Sequence, residues 1–519
     1  MSLNLATMLK EAAKEFPNKP AALFEGGRMT YSELDALSDR LARGLRREGL
    51  RRGDAVGLQL PNLPQFLIAY FGILKNGSVV VPLNVLLKAP EIEYHLSDSG
   101  ARALITWSGF LAEAGKGAAG AGVDRIYVVD PFDETDPALG ARFERLLVAA
   151  DGPIPFEQTD PGDTAAIVYT SGTTGKPKGA ELTHFQLYMN ADTPGRLFGV
   201  EPDDVVLVVL PLFHVFGLSS QLNVCVRFGV TMYLMPRFDP TKVLEVIQQE
   251  RITIFEGVPT MYVALLNHPQ VDQYDVSSLR VGISGGAAIA AEVLDDFERR
   301  FGIVILEGYG LSETASTTSF NVSAVERKIY SVGKPIWGVE VEIWDDQNRR
   351  LPPGPDHVGE LVIRGVNTMK CYHDRPESTA EAFEGGWFHT GDLGYVDDEG
   401  YFFIVDRKKD LIIRGGYNVY PREVEEVLYS HPCVAEAAVV GVPDKLVGED
   451  VKAFVELKAG MSITDEELIA FTKERLAAYK YPRSIEFRSD LPKNATGKIV
   501  KESLASEARA QAVTGAGRR

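Results

Sequence analysis

The sequence predicts an α/β protein: a large N-terminal domain of parallel-rich sheets with helices, a β subdomain attached to it, and a smaller α+β C-terminal domain. Three observations carry this. Up to residue 330, short apolar runs of strand length alternate with longer amphipathic stretches, the texture of strand–helix–strand units. From 331 to 405 that alternation gives way to β-rich segments set apart by turn signals. After DRKKD at 406–410 a new series of helix and strand patterns begins.

In chain order, Ser32 to Glu48 repeats leucine at positions 34, 37, 41 and 45, one face of an amphipathic helix. AVGLQL (55–60) and SVVVPL (78–83) read as buried strands. AAIVYT, VVLVVL, TMYLM, ITIFEG, LRVGIS and IVILEGYG continue the pattern, with a helix expected from near Thr183. VEVEIWD, GELVIRG and GYFFIVD, separated by PPGP and DDEG, make the β subdomain. Beyond it, EVEEVLYSHP reads as a helix and VAEAAVVGVPD and VKAFVEL as strands. TDEELIAFTKERLAAY reads as a helix with Thr464 as N-cap and Glu467 three residues on. Arg509 to Arg519 is small and polar and is expected to fray. The expected domains are 1–406 and 411–519, joined by 407–410.

At 519 residues the chain exceeds one ordinary core. Seventy-two acidic against 54 basic residues give a net charge of -18, which disfavours a general role on nucleic acid or an anionic membrane. Any polyanion would need a locally positive site. Cys225, Cys371 and Cys433 lie far apart, with neither metal-ligand spacing nor a disulfide framework, as suits a reducing cytoplasm. Lys10, Glu11, Lys14 and Glu15 occupy the stretch where a signal peptide would be apolar, and GAGRR is not a peroxisomal address. Val205 to Val226 has no charged residue and is long enough to span a bilayer. Pro211, His214, Gly217, Ser219, Ser220, Gln221 and Asn223 interrupt it, so a buried strand, a turn at Pro211 and a buried helix are expected instead.

Tyr169 to Gly179 reads YTSGTTGKPKG, after the strand AAIVYT and before a helix. Its glycines permit close backbone approach, its hydroxyls donate, and Lys176 and Lys178 add charge, which together suit a polyphosphate. Pro177 falls where the second glycine of a Walker A loop belongs, so it is not that loop. A competing motif is Gly282 to Gly286, which satisfies G-x-S-x-G around Ser284 in the setting of a hydrolase nucleophile elbow. That enzyme needs an acid and then a histidine downstream, and only His431 follows Asp392, in the other domain.

TSGTTGKPKG resembles the signature of the adenylate-forming superfamily: acyl-CoA synthetases, aryl-CoA ligases, nonribosomal adenylation domains and luciferase-like enzymes. PLFHVFG (211–217), GISGGAAI (282–289), EGYGLSET (307–314), WFHTGDLG (387–394), DRKKDLIIRGGYNVYP (406–421) and PKNATGKI (492–499) match in the superfamily's order. The resemblance covers nearly the whole chain and accounts for motifs that the hydrolase reading leaves unexplained.

The resemblance implies an ATP-dependent ligase that makes an acyl-adenylate from a carboxylic acid and passes the acyl group to coenzyme A. By it, Thr170, Ser171, Gly172, Thr173, Thr174, Gly175 and Lys178 hold the phosphates. Glu307, Gly308, Tyr309, Gly310 and Ser312 surround the nucleotide, Tyr309 offering a flat face to adenine. Ser312 stands where relatives often have Thr. Glu313, with Thr170, is matched to Mg²⁺, a hard cation suited to one carboxylate plus phosphate oxygens. Asp392 can accept from both ribose hydroxyls, and Arg407 reaches the same sugar. Lys498 is the adenylating lysine: its ammonium bridges an anionic carboxylate and an anionic α-phosphate. His214 is either a satisfied core histidine or a group at the acyl-site entrance. The acyl pocket is expected from Val215, Phe216, Gly217, Val258, Gly285, Gly286 and Ala287, small and apolar as an alkyl chain requires. Arg414, Gly415, Gly416 and Tyr417 match the loop that meets coenzyme A after the C-terminal domain turns about Lys409, which makes that domain mobile. A medium- to long-chain fatty acid is the expected substrate, with aryl acids and carrier-protein loading as the alternatives. The reading includes no nucleic-acid partner and leaves room for a homodimer.

Overall fold

The structure, a computed structural model of the chain, describes residues 2–130, 140–147, 157–170, 176–323, 325–444 and 446–515. Two large sheets form the N-terminal domain. One has nine strands, and its central members Val304–Tyr309, Val281–Ser284, Ile254–Gly257, Val205–Val208, Thr231–Leu234 and Pro20–Phe24 run parallel. The other has eight, parallel from Thr164–Thr170 through Val79–Pro82, Ala55–Gln59, Ala103–Trp107 and Ile126–Val129 to Ala141–Arg142.

Helix Pro64–Lys75 is buried at every position from Phe66 to Lys75, because its apolar residues run all round and leave no solvent face. The buried Lys75 ammonium is held by Asp35 at 2.6 Å and Asp39 at 2.7 Å, the pairing a buried cation needs. The expected leucine-faced helix is Tyr31–Arg47, begun by a capping box between Thr30 and Glu33, with Leu34, Leu41 and Leu45 buried.

The uncharged stretch after Val205 holds strand Val205–Val208, then π-helical Phe216–Asn223, then α-helical Val224–Phe228. The expected ordinary helix is thus widened over its first eight residues. Its polar side chains are tethered on three sides: Gln221 donates to the Leu207 carbonyl, Asn223 to the Tyr70 hydroxyl, and the Ser220 and Ser316 hydroxyls meet at 2.8 Å. No helix among the described residues is long and apolar enough to cross a membrane.

The β subdomain is an antiparallel sheet of Val339–Trp344, Gly359–Gly365, Phe388–Val396 and Phe402–Arg407. It is less self-contained than the sequence suggests. Lys334–Pro335 ends the nine-stranded sheet, and Cys371–Tyr372 crosses to the edge of the eight-stranded one. The turn at 408–410 follows, with Lys409 exposed. The C-terminal unit packs helices Pro421–Tyr429, Asp465–Lys473 and Lys501–Gly515 with strands Val434–Asp444, Gly448–Leu457 and Ser484–Arg488. Thr464 caps its helix as expected, accepting from the Glu467 N–H at 3.2 Å. That helix ends at Lys473 rather than near Tyr479, whose ring leaves to stack on Tyr417 with centroids 4.8 Å apart. The last helix runs past Arg509, because Leu504, Ala505 and Ala508 are buried with Ala438, Val440 and Phe454.

Candidate functional site

The strand that leads into the expected phosphate loop is followed by a second strand before any helix begins. Thr164–Thr170 pairs antiparallel with Lys178–Thr183, Thr170 opposite Lys178, and only then does helix His184–Leu197 begin. Ser171, Gly172, Thr173, Thr174 and Gly175 lie outside the described residues. The two ends of the loop converge on one place. The Lys178 ammonium lies 5.1 Å from the centroid of the Tyr372 ring, and the Tyr372 hydroxyl donates to Glu313 at 2.9 Å. Burial pushes the Glu313 carboxyl up, and hydrogen bonds from Tyr372 and Thr170 oppose that. Thr170 and Glu313, the pair matched to magnesium, are therefore neighbours. Sequence reasoning missed Tyr372, which has no local pattern and arrives only because its short strand crosses between sheets.

Glu307, Gly308 and Tyr309 end strand Val304–Tyr309, at the carboxyl edge where parallel sheets bind ligands. Burial pushes the Glu307 carboxyl up to about 7, against the pull of the Arg422 guanidinium and the Ile289 N–H. At Gly310 a Cβ would sit 1.4 Å from the Ser316 carbonyl oxygen, so only glycine lets the two backbones approach this closely. The turn carrying Ser312 and Glu313 ends in Ala315 at φ 56° and Ser316 at φ 114°. Backbone strain of this kind gathers at ligand sites.

The Tyr309 hydroxyl donates to Asp392 at 2.6 Å, and Arg407 Nε lies 3.2 Å from the other Asp392 oxygen. Strand register puts Asp392 directly opposite Arg407. The three residues matched to adenine and ribose thus form one connected group. Lys498 joins it from the C-terminal unit. Burial draws its ammonium down to about 8, and nearby Arg407 adds to that while Asp392 opposes it.

His214 lies close enough to Lys498 to feel its charge. Burial first, and Lys498 second, draw the imidazole down to about 4, so the ring is neutral near pH 7. Its Nδ1 accepts from the Phe216 N–H at 3.2 Å, which leaves the proton on Nε2. Val215, Gly217 and Val258 are buried. The Phe216 ring would meet a Cβ on Gly285 at 3.1 Å, and Val258 would meet one on Gly286 at 3.6 Å. Ala287 follows half-buried. The expected acyl residues are therefore assembled around the ends of neighbouring strands.

One group stays apart from this assembly. Arg414, Gly415, Gly416 and Tyr417 form a hairpin turn whose partners belong to the C-terminal unit. Arg414 donates to Asp450, Gly415 N–H to the Val447 carbonyl, and Tyr417 stacks on Tyr479. Ser284, the serine of the hydrolase-like motif, has a buried hydroxyl with no hydrogen-bond partner among the described residues, so it is not a poised nucleophile. Glu256, at the start of the 256–262 stretch expected to help line the acyl pocket, is 3% exposed and its Oε2 has no partner among the described residues. Burial alone pushes its carboxyl well above the usual range.

Residues 9–373 match the AMP-binding enzyme family, and residues 423–498 match the AMP-binding enzyme C-terminal domain. A long-chain-fatty-acid–CoA ligase of Bacillus subtilis is 39% identical over 97% of this chain and 94% of its own. A feruloyl-CoA synthase of an Amycolatopsis species is 40% identical over 94% of this chain and 96% of its own. The solved structure of an anthranilate CoA ligase in complex with anthranoyl-AMP superposes with a TM-score of 0.92 at 30% identity, covering 99% of this chain and 98% of that one. With both family domains present in order and a relative this similar along nearly all of its length, the chain belongs to the AMP-binding enzyme family, as an AMP-forming acid–thiol ligase.

Proposed function

We propose that this acyl-CoA ligase activates a medium- to long-chain fatty acid in two half-reactions and that Lys498 serves the first alone. The observation that supports the first half-reaction most is the position of Lys498, whose ammonium lies close enough to Arg407 and Asp392 to feel their charges and close enough to His214 for that ring to feel its own. A free carboxylic acid is ionised near neutrality, so no general base is required. Its oxygen attacks the α-phosphorus of ATP, the bond to pyrophosphate breaks, and Lys498 offsets the charge of the two meeting anions. Tyr309 stacks on adenine, Asp392 and Arg407 hold the ribose, and residues 171–175 with Lys178 take the phosphates. Glu313 and Thr170 would hold Mg²⁺, and their hard oxygen donors, side by side, fit that ion. When bound, magnesium neutralises phosphate charge. His214, neutral with its proton on Nε2, donates to an acyl oxygen rather than taking a proton.

In the second half-reaction the thiol of coenzyme A attacks the acyl carbon and AMP leaves. For this the domain 411–519 turns about Lys409 relative to 1–406, within the connector 407–410, and brings Arg414, Gly415, Gly416 and Tyr417 to the site. Support comes from the turn at 408–410, which lies between two sheets, and from the positive φ of Gly415 (59°) and Gly416 (85°), which leaves backbone free for close approach.

The apolar lining of Val215, Phe216 and Val258 and the likeness to the Bacillus ligase favour an alkyl chain. An aryl acid is the second reading. It is favoured by the flat Phe216 ring facing Gly285 and by equal likeness to the feruloyl-CoA synthase. Pyrophosphate release measured across saturated acids of graded length and hydroxycinnamic and benzoic acids decides between them. The expected optimum falls among the longer saturated acids, and an optimum among the aryl acids overturns it.

A further inference from the structure

The loop that carries Lys498 is closed upon itself. The Asn494 side-chain oxygen accepts from the Thr496 N–H at 3.0 Å, the Thr496 hydroxyl at 2.7 Å and the Lys498 N–H at 2.9 Å. The Gly497 N–H donates to the Asn494 carbonyl, and the Asn494 N–H to that of Lys498. With these donors spent internally, the loop presents the Gly497 carbonyl to the N-terminal domain. The Thr260 hydroxyl donates to it at 2.9 Å, across 237 positions of sequence.

Thr260 stands in the first turn of helix Pro259–Leu266, whose N-cap is Val258. Strand Ile254–Gly257, which leads into it, is paired in parallel on both sides, so the seat is rigid. The fit is close. A Cβ at Gly497 would lie 3.1 Å from the Thr260 hydroxyl and 3.1 Å from one Val258 methyl. The other Val258 methyl lies 3.6 Å from where a Cβ on Gly286 would be. One short segment therefore carries the acyl wall on one side and the lysine loop on the other.

We propose that Thr260 is a positioning residue for adenylation: its hydroxyl latches the Gly497 carbonyl, and through that rigid loop it sets Lys498 against the reacting carboxylate. The inference rests on the reading of Lys498 given above. The bond breaks when the C-terminal domain turns, so its contribution belongs to the first half-reaction. A small displacement of a charge-stabilising group costs rate rather than binding.

The test compares T260V, which keeps the volume and removes the donor, with T260S, which restores it, and with K498A. Both half-reactions are measured: pyrophosphate release from acid and ATP, and acyl-CoA formed from supplied acyl-AMP. T260V is expected to lower kcat of adenylation about tenfold, the worth of one lost hydrogen bond at its upper range, with KM for ATP little changed. T260S recovers most of the loss. Thioester formation in T260V stays within about twofold of the parent, which also reports that the variant is folded. Selective loss in K498A with full adenylation in T260V overturns the latch alone. Equal losses of both half-reactions in T260V, unrestored by T260S, make Thr260 a structural residue. Full adenylation in K498A overturns the reading of the lysine itself, and the latch with it.

Discussion

At the scale of single residues, ionisation makes the account testable. Lys498 is drawn down to about 8 by burial and by Arg407, so the substrate-free enzyme loses this charge as pH rises through that value. The apparent kcat/KM for adenylation should fall above about pH 8, because this ratio reports groups of the free enzyme. In K498R the absolute rate is lower but the alkaline limb disappears, since a guanidinium keeps its charge. A limb unchanged in K498R assigns it to another group. Glu256 makes a different prediction. Its carboxyl is pushed well above 4.5 by burial, so the folded state binds its proton more tightly than the unfolded chain does. Its contribution to stability is therefore full below the unfolded pKa and is lost as pH rises above it. Glu256→Gln removes that loss, and its advantage over the parent should grow from pH 5 to pH 8, reaching roughly 1–3 kcal/mol. Denaturant melts at both pH values check this, and an advantage independent of pH contradicts it.

At the scale of elements, the paired strands Thr164–Thr170 and Lys178–Thr183 and the glycine turn after Val281–Ser284 are each proposed to carry one function. Lys178→Ala should reduce kcat/KM for ATP by about tenfold, the loss of one charge on a phosphate. An unchanged value removes the strand pair from nucleotide binding. Gly285 faces the Phe216 ring, which would have to give by a few tenths of an ångström to admit a Cβ at 3.1 Å, whereas Gly286, at φ 77°, would be strained by any substitution. Gly285→Trp is therefore the cleaner probe. It should shift the chain-length optimum of pyrophosphate release to shorter acids while butyrate remains usable, and an unaltered profile moves the acyl pocket elsewhere.

These elements also mark where the sequence was legible. The Thr464 cap and the leucine face of Tyr31–Arg47 depend on residues three or four apart, which a local pattern records. The strand Lys178–Thr183 was missed because six residues of mixed polarity form it only by pairing back across the loop. The π-helix at 216–223 follows from tethers to Tyr70, Leu207 and Ser316, none of them nearby in the chain. Asp392, Tyr309 and Arg407 could be named from motifs. That Tyr372 meets Glu313 and that Thr260 meets the loop carrying Lys498 could not, because long-range strand pairing delivers the one and domain docking the other.

At the scale of the whole molecule, the proposed turn of the C-terminal domain has one face of the N-terminal domain serve two of its faces. The face present here brings Lys498 to Asp392 and Arg407 and leaves Gly415 and Gly416 turned to their own unit. Lys409→Pro, which fixes φ near roughly -65° in the exposed turn between the units, should restrict exchange of the two faces. With the adenylating arrangement retained, the variant should release one burst of pyrophosphate and little acyl-CoA. An unimpaired thioester step places the hinge elsewhere. The central claim concerns the bond that forms first, and it is tested most directly with an acid whose carboxylate carries heavy oxygen. After complete turnover with ATP and coenzyme A, attack at the α-phosphorus predicts one heavy oxygen in AMP and none in pyrophosphate. AMP without the label, or label in any other phosphate product, would contradict the account.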